Sequence, residues 1–563
     1  MPTPRAIAEN AWPWFWSPLD LTGLGGVLLG CFGAMLRKMN TWQSLAAMFR
    51  SWRLAAVCLQ QIASGLPLGL VWIAIPTWLT QEGVDIRVVG LFTLAQAPWS
   101  FKFVWSPLMD RYPLPFFGRK RGWICAAQVA LLGLTLWLAG VSDHPDAVWV
   151  IGALTLAMGF AAATQDIAID AYAVEVLRKE EHGAAVGART ALYRAAMFIS
   201  GGLAITLGAE YSWKFVNFLL ALIYLPMLLV TMRSPEPQSL PQPPRTLREA
   251  VWDPFVGFLA QHRALEILAF VVLYKLSDNL TQALTGPFLT KIGYNAWDVG
   301  VGRSAAATAA TLIGTFCGGV LTAKLGLGRA LWIFGFLQIF SNLGYALIAQ
   351  AGVNRAIMYA AVAFELGSSG LGSGAFGVLL LRLTQKRFSA TQFALLSSLF
   401  SIPRVLAGPP AGWLSDTLGW RDFFILTLPL GIPGLLMLAR FVPWSVREPE
   451  FHVAAPAWGA PLTRRQLTAR AVVCGLAAWG VGLATMAGLE ALRTYRAKQV
   501  FDFKVQAAAI LSPQTLGAWT TWAGILLFAV TVALMTAATL TARRGIAPAA
   551  KLAEAVRAPE KRV

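Results

Sequence analysis

The sequence predicts an all-α polytopic membrane protein: two six-helix halves followed by about two extra C-terminal transmembrane helices. Three observations carry this. Over 563 residues, 56% are hydrophobic and only 13% charged, with a mean hydropathy of +0.58, whereas soluble domains run near one quarter charged. Fourteen apolar runs approach the ~20 residues that a helix needs to cross a bilayer. Finally, Lys and Arg alternate between connections, with 15 in the even-numbered ones and 5 in the odd-numbered ones of the first twelve runs. That asymmetry follows the positive-inside bias and puts both the amino terminus and the central linker in the cytoplasm. The net charge of +18 is spread over these short clusters, so it reads as a topology signal and not as a nucleic-acid surface. Soluble enzyme, nucleic-acid-binding protein and disordered scaffold are set aside together.

Taken in order, residues 1–47 form an N-terminal extension. Trp12 to Asp20 is aromatic and acidic, unlike a signal-peptide core, and Leu21–Leu36 is short for a span. The extension is either a peripheral segment or a misassigned start, with Met48 as the true first residue. The first half, 48–232, holds runs at Leu54–Leu79, Val88–Met109, Trp123–Val141, Ala147–Ala168, Thr190–Leu207 and Lys214–Met232. A proline-rich polar linker occupies 233–263. The second half, 264–445, holds Leu265–Leu284, Val299–Leu321, Ala330–Ala351, Ala356–Leu380, Phe393–Trp413 and Phe423–Phe441. The remainder, 446–563, comprises a second linker, the runs Ala471–Leu489 and Trp519–Leu540, and a basic tail. That tail favours a cytoplasmic carboxyl end and hence an even number of spans, fourteen, with twelve plus a dipping hairpin as the alternative. Six plus six around a cytoplasmic linker is the plan of the major facilitator fold, whose parallel halves enclose a midplane site.

Five cysteines lie irregularly inside apolar runs and four histidines fall in connections without ligand spacing. Neither a disulfide framework nor a metal site is expected. No nucleotide or haem fingerprint is present, so no cofactor and no ATP-driven pumping are expected; the proton motive force enters as the energy source only through the resemblance given below.

Ionisable groups within the runs are the informative residues, because a charge at a helix centre costs ~2.5–3.5 kcal/mol on insertion scales. Asp166 and Asp170 stand i and i+4 on one face of the fourth run, beside Gln165. Like charges so close suit a proton carrier, and the bland alternative is pairing with Arg178, Lys179 or Arg189. In the seventh run Lys275 and Asp278 are i and i+3, with Asn279 and Gln282 extending the polar face. Glu365 stands alone in the glycine-rich tenth run, a candidate for coupling. Arg404 sits among prolines in the eleventh run, where it either binds an anionic substrate group or pairs with Glu365 or Asp278. Lys102 and Arg194 are further cations available to a substrate. Asp110, Arg111, Gly118, Arg119, Lys120 and Arg121 form a basic, glycine-containing turn after the second run, echoed by Lys324 to Arg329 after the eighth. This faint duplication marks a candidate gating loop. The 23 tryptophans are mostly belt anchors; some suit sugar stacking, but none is singled out by position.

Several ordered segments resemble the AmpG-type muropeptide permeases. They are Ser64–Leu68, Trp78–Asp85, Gly90–Phe92, Phe101–Arg111, Gly118–Trp123 and Ala163–Tyr172 in the first half. In the second half they are Tyr274–Asp278, Phe364-Glu365, Arg387–Ser397 and Ala407–Pro409. The resemblance covers roughly 54–445. It implies proton-coupled import of anhydromuropeptides across the bacterial inner membrane, by a multi-pass, monomeric protein with both termini cytoplasmic. Its partners would be an amino-sugar peptide, protons and the lipid bilayer. The Gln-Asp-Ile-Ala-Ile-Asp segment is also similar to acetyl-coenzyme A transporters, so acetyl-CoA or another bulky anion stays open as a substrate, as does drug efflux. A membrane enzyme would need a nucleophile or metal ligands at a membrane surface, and none is grouped here.

Overall fold

The computed structural model describes residues 51–85, 88–89, 92–114, 117–144, 147–237, 242–295, 298–299, 303–451, 459–496 and 516–545. The extension 1–47, most of the outer connection of the last pair and the end of the basic tail lie outside the described residues. Among those described, eleven helices are long and apolar enough to cross a membrane, or up to twelve when a broken segment is included.

The first half consists of α1 (Trp52–Gln81), an interrupted α2, α3 (Arg121–Val141), α4 (Val148–Val176), α5 (Lys179–Glu210) and α6 (Trp213–Arg233). Helix α2 is assembled from the short pieces Phe92–Gln96, Ala97–Phe101, Lys102–Val104 and Ser106–Arg111. Prolines at 98 and 107 open two of these pieces, as their missing N–H and fixed φ dictate. Both α1 and α5 contain a π-turn, at Leu70–Ala74 and Ile199–Leu203. The helices are in contact there, with Gly69 lying against the Met197 carbonyl and the Ser200 hydroxyl. An apolar core including Leu66, Trp78, Leu131, Met158 and Tyr224 holds this half together.

Helix α7 (Leu247–Leu259) lies within the stretch expected to be a plain polar linker. Thr246 caps it by accepting from the Glu249 amide at 3.1 Å. The second half follows with α8, running over Ala264–Ile292 in three pieces, then α9 (Arg303–Leu325), α10 (Leu327–Ala351), α11 (Arg355–Leu383), α12 and α13 (Trp420–Phe441). Helix α12 is split into Ser389–Leu406 and Gly408–Leu418 around the Ala407 junction before Pro409 and Pro410. Phe288, Tyr345, Met358, Phe423 and Phe424 form its apolar core. The interruptions in α2 and α8 fall in runs that sequence periodicity presents as continuous, whereas that in α12 falls where its prolines predict a break. Broken backbone at membrane depth persists only inside protein or beside a wet cavity.

The chain parts into two compact units, one comprising 1–242 and 266–449, the other 243–265 and 450–563. In the second unit α14 (Arg464–Arg496) and α15 (Leu516–Arg544) pack along small residues. Gly475 faces Ala529 and Ala533, and Gly482 faces Ile525. Helix α7 packs on α15 in the same unit, where Arg543 Nη2 donates to the Gln261 carbonyl at 3.3 Å. The linker is therefore also a packing partner of the last helix pair.

Candidate functional site

Two polar clusters lie inside the first unit, one in each six-helix half. In the first half α4 presents Asp166 and Asp170 one turn apart, and their surroundings differ. Asp166 is buried and accepts from neutral donors: Ser64 Oγ of α1, and Trp99 Nε1 of α2 at 3.1 Å. Asp170 is ion-paired: Arg189 of α5 donates to Oδ1, and Lys102 Nζ of α2 stands 3.8 Å from Oδ2. Gln61 turns its amide oxygen to Arg189, accepting from Nη2 at 2.8 Å and Nε at 3.1 Å. The pair is thus not an isolated acidic couple: Arg189, one of the partners the sequence offered, holds Asp170, and Lys102 joins it from α2, where no spacing along α4 reveals it. Lys102 is buried against Asp170 and does not snorkel. Gln165 is fully buried with neither amide atom hydrogen-bonded. Arg194 is exposed, its guanidinium touching only the Met197 sulfur at 3.9 Å.

In the second half α8 breaks between its pieces at Lys275, whose ammonium enters a buried network. Nζ lies 3.0 Å from Asp278 Oδ2 and donates to the Ser369 carbonyl at 2.7 Å and hydroxyl at 2.8 Å. Glu365 of α11 is fully buried and accepts from Gln282 Nε2 at 2.9 Å and from the Tyr345 hydroxyl at 3.2 Å. Gln282 also reaches Ser369 Oγ at 3.5 Å, so both carboxylates belong to one chain of contacts. Asn279 is half-buried on the same helix. Arg404 pairs with neither Asp278 nor Glu365, whose oxygens are engaged as above; it is exposed. An exposed guanidinium in mid-span faces water and not lipid, given its burial cost.

The candidate gating loop closes one side of the unit. Asp110, wholly buried, binds Lys120 Nζ at 2.6 Å and lies 3.5 Å from Arg119 Nη2. It also crosses to the second half, accepting from the Ala390 amide at 3.2 Å, the Thr391 amide at 2.9 Å and the Thr391 hydroxyl at 2.8 Å. It therefore caps the first turn of α12 from 280 residues away, where the helix dipole favours an anion. Glu175 accepts from Ser389 Oγ at 2.6 Å, and Arg119 donates to the Arg387 carbonyl at 2.9 Å. Gly118 has φ +82°, and a Cβ there would lie 1.9 Å from the Glu236 carboxyl oxygen. Glu236 in turn pairs with Arg121 at 3.2 Å; burial pushes its carboxyl up from the ordinary value while Arg121 opposes the shift. Arg111 stands apart, over the Tyr112 ring at 5.1 Å. The second-half echo repeats the scheme: Glu448 accepts from the Leu327 amide at 3.3 Å and pairs with Arg382. A signal for this existed in the sequence, since Glu-Pro follows both the sixth and the twelfth run, at 236–237 and 448–449.

Between the halves on this same side, α5 and α9 meet backbone to backbone. A Cβ on Gly319 would lie 2.3 Å from the Gly183 carbonyl oxygen and 2.8 Å from the Gly187 nitrogen. The opposite face of α9 meets α11 likewise, Gly314 against Gly367 and Gly318 against Leu371.

Paired six-helix halves, broken helices and buried ion pairs in each half define a multi-pass membrane permease. The model of the Major Facilitator Superfamily matches residues 57–408. The anhydromuropeptide permease of Escherichia coli strain K12 is 39% identical over 446 residues, 78% of this chain and 90% of that one. An uncharacterized Haemophilus influenzae protein is 32% identical over 392 residues, 68% of this chain and 92% of its own. Among solved structures, the proton:xylose symporter XylE superposes with a TM-score of 0.53 at 12% identity, covering 70% of this chain and 97% of that one. A human organic anion transporter gives 0.53 at 14%, covering 69% and 99%; both bear on the fold alone. The chain belongs to the major facilitator superfamily and, within it, to the AmpG-type permease family.

Proposed function

We propose that the protein imports anhydromuropeptides from periplasm to cytoplasm by proton symport across the bacterial inner membrane. The observation that carries this reading is the 39% identity, over 78% of the chain, to a protein named anhydromuropeptide permease. The chemistry of the two clusters supports it. An amino-sugar peptide brings hydroxyls, amides and carboxylates, and the exposed Arg194 and Arg404 are cations free to meet the last of these. Glu365, held by neutral donors, and Asp166, likewise, are the carboxylates suited to take a proton, because neither has a cation within hydrogen-bond reach. Asp170 and Asp278, already neutralised by Arg189 and Lys275, act as ion-pair partners that open when the halves move. The side closed by Asp110 is cytoplasmic by the basic-residue asymmetry, so in this conformation the route to the cytoplasm is sealed.

The test is uptake of labelled N-acetylglucosaminyl-anhydro-N-acetylmuramyl peptide into energised right-side-out vesicles, with and without an uncoupler, and with unlabelled acetyl-coenzyme A as competitor. Accumulation that collapses with the uncoupler and ignores the competitor is expected. No accumulation in energised vesicles holding the inserted protein would overturn the reading.

A further inference from the structure

The composition supplies many tryptophans and no means of choosing among them. The fold makes the choice, because one of them donates to a buried carboxylate of the first half and a second stands edge to face against it. Trp99 is half-buried on α2 and donates its indole N–H to Asp166 Oδ2 at 3.1 Å. Trp72, also half-buried, meets Trp99 edge to face, with ring centroids 6.1 Å apart and planes at 85°. Trp72 lies on the π-turn Leu70–Ala74 of α1; such turns occur often at functional sites because they re-aim a side chain and loosen the backbone ladder. Its own indole N–H is buried and has no hydrogen-bond partner among the described residues, unusual for a native interior. Two turns earlier on α1, Ser64 donates to the other oxygen of Asp166. Two indoles at right angles, one with an unused donor and the other wired to a carboxylate, form a corner for a flat ring carrying acceptors.

Resting on the import reading above, we propose that Trp72 and Trp99 form the subsite that binds the amino-sugar end of the substrate, and that Trp99 relays its occupancy to Asp166. The apolar C–H face of a pyranose packs on an indole face, and a turn of the Trp72 ring, whose N–H is closed off in this conformation, lets an N-acetyl carbonyl or ring hydroxyl supply the acceptor it lacks. Trp99 cannot tilt to meet a sugar without altering the hydrogen bond it gives Asp166. Sugar binding is thereby linked to the carboxylate without direct contact, and Trp99 is a specificity and positioning residue at once. The peptide end is left to the exposed guanidiniums.

The full-length protein in detergent binds labelled N-acetylglucosaminyl-anhydro-N-acetylmuramyl tetrapeptide, which is then displaced either by the peptide-free disaccharide or by the free tetrapeptide. In Trp72→Ala and Trp99→Ala the disaccharide should lose about tenfold or more in potency, while the tetrapeptide changes by less than about threefold. Trp99→Phe keeps the ring and removes the N–H. It should retain disaccharide potency yet lose most uncoupler-sensitive accumulation in vesicles, a split that general destabilisation does not produce. Unchanged disaccharide potency in both alanine variants, or equal losses for the two competitors, overturns the subsite. Alanine variants that show the competitor split, beside a wild type that accumulates nothing, sink the import reading and leave the subsite standing. A wild type that accumulates the probe, with alanine variants displaced as it is, sinks the subsite alone.

Discussion

Replacing Asp110 by asparagine should open the linker side of the protein. The carboxylate bridges the halves through three bonds, from the Ala390 amide, the Thr391 amide and the Thr391 hydroxyl. Removing the charge turns three charge-assisted bonds into neutral ones or breaks them, a loss of about 1 kcal/mol each. Loss of the anion at the α12 amino terminus adds up to about 2 kcal/mol. Lys120 is also left without its counter-charge, but it lies in the same half as Asp110 and is stranded in both conformations, so its cost does not bias the equilibrium. The sealed state should therefore weaken by about 3–5 kcal/mol, roughly two to three and a half orders of magnitude in its ratio to the open one. Spin labels at Lys179 and Lys386, both exposed and on opposite halves of that side, read this directly. The label-to-label distance should lengthen in Asp110→Asn, and transport should fall with it. A distance distribution identical to that of the parent protein, in a variant that elutes as a folded monodisperse species, refutes the idea that this contact holds the side shut.

Further expectations follow from the same geometry. Asp166→Asn should abolish uncoupler-sensitive uptake and leave membrane insertion intact; normal accumulation would remove Asp166 from the mechanism. Asp170→Asn strands Arg189, so thermal stability in detergent should drop by the equivalent of about 3–5 kcal/mol and recover in part when Arg189→Gln is added. Lys275→Met with Asp278→Leu should be more stable than either single change, whereas three equal melting curves would show that the two groups do not act as a pair. Gly118→Ala combines a backbone at φ +82° with a methyl on the Glu236 carboxyl, and should lower stability by about 1–2 kcal/mol or more, measured by unfolding in detergent.

Much of the fold was legible because lipid enforces it. A bilayer admits only spans of apolar residues, so the runs follow from composition along the chain. The first break in α8 was not legible, because Tyr274-Lys275-Leu276 carries neither proline nor glycine; tertiary bonds from Lys275 to Ser369 accompany it. Within the site, ionisable residues declared themselves by the cost of burying them, and their local partner was readable where it lay i+3 away, as for Lys275 and Asp278. Partners on other helices were not: Ser64, Trp99, Tyr345 and Ser369 are ordinary residues of apolar runs until the fold sets them beside a carboxylate. Asp110 likewise read as part of a basic turn, and only the fold shows which helix it caps.

The meeting of α5 and α9 at Gly183, Gly187 and Gly319 also bears on how such a chain could be tuned or trapped. Because the nearest atoms facing Gly319 are all backbone, the Gly183 oxygen and the Gly187 nitrogen and α-carbon, no side chain at that point can swing aside, and one added carbon acts as a wedge. Alanine, serine and valine at position 319 would then form a graded series of shims, each holding the linker side further ajar without touching the polar clusters. An investigator seeking the opposite conformation for structure determination could obtain it from that one codon. The same sensitivity explains how a lineage of such proteins could reset its resting state by drift in a single methyl group.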